Sequence, residues 1–462
     1  MEPGTMIGAM RNITRGDGLM NRALRSASLN LFGFGFSQAL RLASNLILTR
    51  LLFPEAFGIM AMVSVFLMGL AMFSDVGVGP AIMQSKRGDD RDFLNTAWTI
   101  QIIRGVSLWL IACALAWPMA RYFGEPDLVY YLPVAALTQL ALGFLPTRQE
   151  TANRHLKVGR VTLLEMATNL IGALAAIGLA WALQSVWALV ISGVLASVAQ
   201  VVLYDLFLPG ERNRLRWERA AAQELIRFGK WVFLSTIAGF AIGQADKVII
   251  GGWLSTHDFG IYNIGFFWAS FAFLMGSVVV RKVMIPVYRE SPPGESRENF
   301  LRLRKMRMLA TGGMIGLAML PALFGEWLIA FLYDPRYLAA GGIVVLVSVV
   351  QIPAIIGVTY DQAALAVGDS RRFFVLAATR AVLVIGGMIA GITFYGLPGA
   401  LAGQGLAMLA AHPVVVWLAT RSRAWDPLHD LFYFVLGGGL GALALWWNWP
   451  LIAGLAQVQP GG

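Results

Sequence analysis

Long apolar stretches, each followed by a short polar connection, recur along the whole chain of 462 residues. Each stretch is near or above the roughly 20 residues that an α-helix needs to cross a hydrocarbon core about 30 Å thick. The pattern predicts thirteen membrane-spanning helices, at about 27–48, 58–83, 94–118, 128–147, 161–182, 186–208, 230–252, 259–282, 305–330, 338–360, 373–394, 398–420 and 430–452. The predicted fold class is therefore an all-α polytopic membrane protein.

One helical hairpin of this pattern occurs twice. The stretch LTRLLFPEAFGIMAMVSVF at Leu48–Phe66 returns as IIGGWLSTHDFGIYNIGFFW at Ile249–Trp268. With an offset of 202, residues 39–59 match residues 241–261 at seven of 21 positions, and Phe-Gly-Ile has the same place in both. Two alanine- and isoleucine-rich helices can agree by chance. The shared tripeptide favours two halves that descend from one ancestor.

The repeat predicts two lobes of six helices each. We expect a cytoplasmic tail at 1–26, an N-lobe at 27–208, a cytoplasmic linker at 209–229, a C-lobe at 230–420 and one extra membrane-spanning helix at 430–452. Because both copies begin on the same side of the membrane, the lobes should be related by an axis along the membrane normal.

Lysine and arginine are distributed unequally between the connections. With the N-terminus in the cytoplasm, 29 of the 36 lie in cytoplasmic segments, three lie on the opposite side and four lie inside spans. Cytoplasmic connections of membrane proteins carry such an excess. The net charge of +10 is therefore attributed to membrane topology, and no nucleic acid partner is predicted.

The composition excludes several classes of protein. Hydrophobic residues make up 57% of the chain, charged residues 13%, and the mean hydropathy is +0.66, which is far too apolar for a soluble protein. The single cysteine, Cys113, excludes a disulfide framework and a cysteine-based metal cluster. The four histidines have no ligand spacing. We predict no cofactor and no metal site.

Four basic residues fall inside predicted spans. A charged side chain at mid-membrane costs roughly 2.5–3.5 kcal/mol on insertion scales, so four cations that all faced lipid would cost roughly 10–14 kcal/mol. They should therefore line a cavity or contact a partner.

A cavity with surplus positive charge suits an anionic substrate, and guanidinium groups bind phosphate oxygens bidentately. The predicted substrate-binding residues are Arg41, Arg104, Lys247 and Arg380.

Acidic residues in the spans are fewer, and they are candidates for coupling transport to a proton or sodium ion: Asp75, Asp246 and Glu165.

Other roles for the four basic residues stay open. Arg41 can pair with Asp75 of its own hairpin, Lys247 can pair with an acid on a neighbouring helix, and Arg380 can extend to the cytoplasmic interface. Asp246 and Lys247 are sequence neighbours about 100° apart on a helix, so they are not expected to pair with each other.

Enzyme motifs are scarce in this sequence. GDDRD at Gly88–Asp92 is similar to aspartate-rich sequences that hold Mg²⁺ and diphosphate, but it occurs once, beside several basic residues, and is interpreted as a solvated loop. No Walker phosphate-binding loop is present, which argues against a fused ATPase. No large extracytoplasmic domain or soluble catalytic domain is predicted either. The chain is therefore not expected to be an enzyme.

Several stretches resemble bacterial polysaccharide-export flippases of the multidrug/oligosaccharidyl-lipid/polysaccharide superfamily, over about residues 20–425. They are LILTRLLFPEAFGIMAMV, SDVGVGPAIMQ, FGKWVFLSTIAGFAIGQADKVIIGGWLSTHDFGIYNIG, FLYDPRYLAAGGIVVL and GLPGALAGQGLAM. The resemblance implies two six-helix lobes that face each other across a central cavity. Many relatives have two further C-terminal helices, whereas this chain has one clear candidate.

The resemblance also implies a function. Such proteins move undecaprenyl-diphosphate-linked oligosaccharides from the inner to the outer leaflet of the bacterial inner membrane, for O-antigen, exopolysaccharide or capsule. The implied partners are the lipid-linked oligosaccharide, membrane lipids, and a glycan polymerase and glycosyltransferases of the same pathway. Two alternatives remain: a multidrug or cation antiporter of the same superfamily, and a membrane glycan polymerase or ligase.

Overall fold

The computed structural model describes residues 19–75, 77–155, 157–366, 370–458 and 460. In these ranges the backbone is helical apart from short connections, and β-structure is limited to an isolated bridge between Leu254 and Pro460. The predicted all-α class is confirmed. Most of the predicted tail at 1–26 lies outside the described residues, and the first helix begins at Leu19.

The helices are numbered in chain order. They are α1 (Leu19–Leu51), α2 (Pro54–Phe73), α3 (Val78–Gln84), α4 (Arg91–Phe123), α5 (Leu128–Ala135), α6 (Leu137–Gly143), α7 (Arg148–Arg154), α8 (Gly159–Leu183), α9 (Val186–Phe207), α10 (Arg219–Gly251), α11 (Thr256–Glu290), α12 (Arg297–Leu332), α13 (Ala340–Val350), α14 (Ile352–Ala366), α15 (Ser370–Ala410), α16 (His412–Arg421), α17 (Pro427–Trp447) and α18 (Trp449–Leu455), with a 3₁₀ turn at Pro335–Tyr337.

Length and apolar composition identify the membrane-spanning helices. Within the described residues, eight helices are long and apolar enough to cross a membrane, or up to ten if each of two bent pairs forms one span. The chain is a multi-pass membrane protein. The division of the chain into thirteen spans stays a prediction. The 33-residue helices α1 and α10, which were predicted as the first and seventh spans, are not among the eight helices identified here.

The chain divides into two compact units. Unit 1 comprises Met1–Leu52 and Phe66–Thr236, and unit 2 comprises Phe53–Val65 and Ile237–Gly462. Helix α2 therefore begins in unit 2 and continues in unit 1. The predicted lobe boundaries, 27–208 and 230–420, stay a prediction. The lobe symmetry stays a prediction.

The predicted linker is attached to unit 1 by hydrogen bonds. The Asn213 side chain accepts a hydrogen bond from the backbone N–H of Thr147 and donates one to the Thr147 hydroxyl, and the side-chain Oδ1 of Asn95 accepts one from the backbone N–H of Arg214. Because Asn95 lies in the first turns of α4 and Thr147 precedes α7, the linker holds two connections together on one face of the unit.

Unit 2 contains two interruptions in long helices. Helix α12 has a non-helical residue at Phe324, three residues after Pro321, which cannot donate a backbone hydrogen bond. Helix α15 is broken at Tyr395 and Gly396, and Gly396 has a φ of 62°, a conformation that glycine adopts readily. The second break falls between the predicted eleventh and twelfth spans, 373–394 and 398–420.

The extra C-terminal helix packs into the core of unit 2. Its buried face carries Tyr433, Gly437, Gly441 and Ala444, spaced three or four residues apart, as expected for one side of an α-helix. Ile352 of α14 and Val349 of α13 approach Gly437 and Gly441 so closely that side chains there would be crowded. Small residues thus let α17 lie directly against its neighbours.

The two Phe-Gly-Ile copies meet each other inside unit 2. A Cβ atom on Gly58 would collide with the carbonyl oxygen of Thr256, and one on Gly260 would collide with that of Pro54. The contact is reciprocal, because both glycines and both carbonyls differ by the offset of the repeat. Next to it, His257 Nδ1 lies 2.8 Å from Glu55 Oε1, a pair with the same offset.

Candidate functional site

Arg104 lies near the middle of α4 in unit 1 and has neutral hydrogen-bond partners. Its Nε donates to the Ser74 hydroxyl at 2.9 Å, and its Nη2 donates to the carbonyl oxygen of Ala71 at 2.7 Å. Among the described residues it has no acid within ion-pair distance, although the Asp75 carboxylate is near enough to attract its charge. Two neutral acceptors orient the guanidinium, and Nη1 has no partner within the described part of the chain.

Three further predicted residues of unit 1 lie at the surface or close to a turn. The Arg41 side chain is exposed on α1. The Asp75 carboxylate follows α2 and accepts a hydrogen bond from the backbone N–H of Gly77 at 2.8 Å. Glu165 is exposed on α8. Arg104 and Asp75 are thus the two predicted residues that unit 1 brings close together.

In unit 2, Asp246 and Lys247 point to different partners, as their spacing on α10 predicts. Asp246 is 4% exposed, and its carboxylate accepts a hydrogen bond from the Tyr262 hydroxyl at 3.0 Å. The Lys247 ammonium lies 5.9 Å from the centre of the Phe266 ring, a distance at which a cation and an aromatic face attract each other. Asp246 is therefore the most deeply buried of the three predicted acids.

Arg380 has an acidic partner that the sequence left unassigned. Its Nη1 lies 2.6 Å from Asp361 Oδ2, and the two side chains are 14% and 13% exposed. Arg380 Nη2 fills the space beside Gly357, where a Cβ atom would lie 2.9 Å from it. The pair joins α14 to α15. Arg380 thus contacts a carboxylate instead of extending alone to the membrane surface.

A polar cluster that sequence reasoning missed surrounds the start of α17. Asp430 accepts hydrogen bonds from the Tyr360 hydroxyl at 2.7 Å and the Trp425 indole at 3.0 Å, and it lies 3.1 Å from His412 Nε2. His429, which is fully buried, lies 3.0 Å from Asp430 Oδ1, the oxygen that also accepts from Tyr360. The cluster joins α14, α16 and α17 within unit 2.

Two arginines of α12 extend this cluster. Arg304 forms a two-pronged contact with the fully buried Asp426, at 2.5 and 2.8 Å. Arg307 is also fully buried, donates to the Tyr288 hydroxyl at 2.9 Å, and lies 4.2 Å from the centre of the Tyr360 ring. Both arginines are among the 29 basic residues that were assigned to cytoplasmic segments. The sequence feature that could have indicated this role is their three-residue spacing, which puts both arginines on one face of a helix.

Comparison with known proteins adds the family. A model described as "Polysaccharide biosynthesis protein" matches residues 47–342, more than half of the chain. The chain belongs to this family. The matched region runs from α1 through the first residues of α13, so it includes Arg104, Asp246 and both Phe-Gly-Ile copies.

Curated relatives carry related descriptions. The chain is 25% identical over 273 residues to the teichuronic acid biosynthesis protein TuaB of Bacillus subtilis, covering 55% of each chain. It is 24% identical over 286 residues to the succinoglycan biosynthesis transport protein ExoT of Rhizobium meliloti, covering 62% of this chain and 56% of the relative. The matches span just over half the length of these relatives.

Solved structures show the same fold. The lipid II flippase MurJ in an inward closed conformation aligns with a TM-score of 0.64 at 12% identity, covering 91% of this chain and 99% of that one. An inward-facing multidrug transporter of the MATE family aligns with a TM-score of 0.61 at 17% identity, covering 84% and 95%. The family match confirms the predicted resemblance to polysaccharide-export proteins, and these two structures show the fold.

Proposed function

We propose that this protein is a flippase that moves an undecaprenyl-diphosphate-linked oligosaccharide from the cytoplasmic to the periplasmic leaflet of the inner membrane, for cell-surface polysaccharide. The family and the names of its relatives support a role in polysaccharide biosynthesis, and the fold is that of membrane transporters. No covalent bond has to change in such a step. An ion gradient or the membrane potential can supply the free energy for this movement between leaflets.

Arg104 carries this proposal. It is a half-buried cation in the middle of an apolar helix, and neutral groups hold it without neutralising it. A guanidinium with an unused donor suits the oxygens of a diphosphate, which it can bind in a forked geometry. Arg41, Lys247 and Arg380 are proposed as additional contacts to the anionic headgroup. The polyprenyl tail stays in lipid while the lobes rock between inward and outward states.

Asp246 is the proposed residue for coupling to a proton or sodium ion, ahead of Asp75 and Glu165. A carboxylate buried inside a membrane protein is costly unless it serves a function or has a partner, and here its hydrogen-bond donor is a neutral tyrosine. A proton or sodium ion that binds there would cancel the charge. The Asp246→Asn variant should therefore lose export while its level in the membrane is kept.

Gene deletion and complementation test the function. Deletion should cause lipid-linked repeat units to accumulate and surface polymer to disappear. Arg104→Ala should fail to restore the polymer, at an unchanged level in the membrane, whereas Arg104→Lys should restore part of it. Arg121→Ala is the matched control on the same helix, because Arg121 is exposed at its far end, next to Trp117.

The same strains separate the alternatives. Full export by Arg104→Ala would remove this residue from the site. Unchanged surface polymer after deletion, combined with new sensitivity to cationic drugs, would contradict the flippase and support the multidrug antiporter. Accumulation of unpolymerised units in the outer leaflet would point to a polymerase.

A further inference from the structure

A cavity of unit 1 is lined by none of the predicted site residues. Three connections surround it: the start of α4, the segment from α7 to α8, and the residues that follow α9. Its volume is about 740 Å³. Small-molecule sites commonly have volumes of about 300–1,000 Å³, so this cavity has room for more than a single phosphate.

The lining of the cavity is strongly basic. Two acids face it, Asp89 and Glu211, against five basic side chains: Arg91, Arg148, Lys157, Arg160 and Arg212. Glu211 pairs with Arg91 at 2.8 Å. A hydrogen bond with His155, and then the charge of Arg154, keep the pKa of Asp89 below its usual value, so this acid stays ionised and bound to its own neighbours.

Arg148 is fixed in the wall of the cavity by the chain itself. Its Nη1 donates to the carbonyl oxygen of Leu208 at 2.8 Å, and its Nη2 contacts the Asp205 carboxylate. The side chain is only 9% exposed, yet its Nε has no hydrogen-bond partner in the part of the chain that the structure describes. Gly210, with a φ of 127°, lets the linker backbone turn against Arg148.

Lys157 and Arg160 complete the basic lining from the start of α8. Both side chains are exposed, and neither forms an ion pair within the described ranges. They therefore differ from Arg91 and Arg148, whose charges are opposed by Glu211 and Asp205. The cavity thus combines one rigid guanidinium with two cations that are free to close on a ligand.

We propose that this cavity binds the phosphate or diphosphate of an anionic headgroup. Arginine forks match phosphate oxygens bidentately, and lysine adds a mobile point charge. The three connections belong to the side with excess lysine and arginine, which the charge distribution predicts to be cytoplasmic. The inference rests on the proposed function in one respect: the cavity would give the diphosphate end of the lipid-linked substrate a first binding place before it enters the membrane region.

Equilibrium binding of radiolabelled inorganic pyrophosphate tests the proposal directly. The full chain is placed in nanodiscs of phosphatidylcholine, without added divalent metal. Saturable binding that weakens with salt is expected. The double variant Lys157→Ala/Arg160→Ala should bind about tenfold more weakly, because two charge-assisted contacts are lost. Neither substitution removes an ion pair or a buried group, so the variant should fold.

The matched control is Arg297→Ala/Lys305→Ala. It removes one arginine and one lysine that are exposed near the start of α12, on the same predicted side of the membrane but outside this cavity. Its affinity should stay within about twofold of the unaltered protein. Equal weakening in both double variants would show general charge attraction and overturn the proposal. Absence of saturable binding would overturn it as well.

Nanodiscs that contain phosphatidylglycerol distinguish the sources of the headgroup. Competition between this lipid and pyrophosphate, lost in Lys157→Ala/Arg160→Ala, would place a membrane-lipid headgroup in the cavity. If phosphatidylglycerol leaves pyrophosphate binding unchanged, the cavity binds headgroups that reach it from solvent. Both results support the site. The measurement does not depend on export, so a protein that binds pyrophosphate here but whose deletion leaves surface polymer unchanged would contradict the proposed function alone.

Discussion

Arg380 and Arg104 are both arginines inside apolar helices, but their partners differ. Arg380 contacts the Asp361 carboxylate at 2.6 Å, whereas Arg104 contacts a hydroxyl and a backbone carbonyl. An arginine paired with an acid offers less net charge to a ligand. One held by neutral acceptors keeps its charge while its position is fixed. The first arrangement stabilises the fold, and the second suits recognition of an anion.

The same contrast separates two larger regions. Around the start of α17, Arg304 of α12 contacts Asp426 and the buried Arg307 lies over the Tyr360 ring, and the Asp430 carboxylate contacts four side chains, Tyr360, Trp425, His412 and His429. In the cavity of unit 1, basic side chains outnumber acids. Substitutions should therefore affect mainly folding in the first region and mainly binding in the second.

The largest expected effect on stability is that of Arg304→Ala. It leaves the fully buried Asp426 without its ion-pair partner, and because the Arg304 side chain is 31% exposed, the cost should lie near the lower end of the about 3–5 kcal/mol typical of buried pairs. The apparent melting temperature of the purified protein should fall clearly. Arg302→Ala on the same helix is the control, since its pair with Glu298 is exposed and 3.8 Å long. An equal loss in both variants would contradict the distinction between paired and surface charges.

Arg380→Ala should have an intermediate effect. The Asp361 carboxylate would lose a charged hydrogen-bond partner, at a cost of about 1.5–3 kcal/mol. Arg380→Ala/Asp361→Ala should recover most of this stability, because removal of a whole pair is often nearly neutral. Thermal unfolding measures both variants. If the double variant is stable but still fails to export polymer, Arg380 also contacts the substrate; if it exports normally, the pair is structural only.

The smallest expected effect on stability is that of Lys157→Ala/Arg160→Ala, the variant that should weaken pyrophosphate binding. Exposed side chains without a partner typically change stability by less than about 0.5 kcal/mol. Its melting curve should coincide with that of the unaltered protein. A large drop in melting temperature would show that these cations stabilise the fold, and would contradict the assignment of this region to binding.

The sequence predicts the fold class and the general nature of the protein well. Apolar stretches of spanning length identify most of the long helices, since a membrane leaves the backbone few alternatives to a helix. The break in α15 at Tyr395 and Gly396 lies where a boundary between two spans was predicted. The Phe-Gly-Ile stretches that first suggested the repeat lie inside the region that defines the family.

Side-chain partners were harder to predict than helices. Arg380 was a predicted site residue, but its partner Asp361 lies 19 residues earlier on another helix, and an uncertainty of one residue in a helix rotates a side chain by about 100°. His412 and Asp430 are 18 residues apart and meet because α16 and α17 both pack against α14. The cavity of unit 1 combines three distant segments, so no local pattern reveals it.

The reciprocal contact between Gly58 and Gly260 has a consequence for how this chain can change over time. Each glycine abuts the main chain of the opposite copy, so a methyl group added to either one displaces both helix starts. Because the atoms in contact belong to the backbone, a substitution of either glycine is not compensated by a change in a neighbouring side chain. The remainder of the duplicated hairpin is free to diverge, as Ser44 and Asn45 have from Asp246 and Lys247. The two glycines are expected to be inherited as a pair.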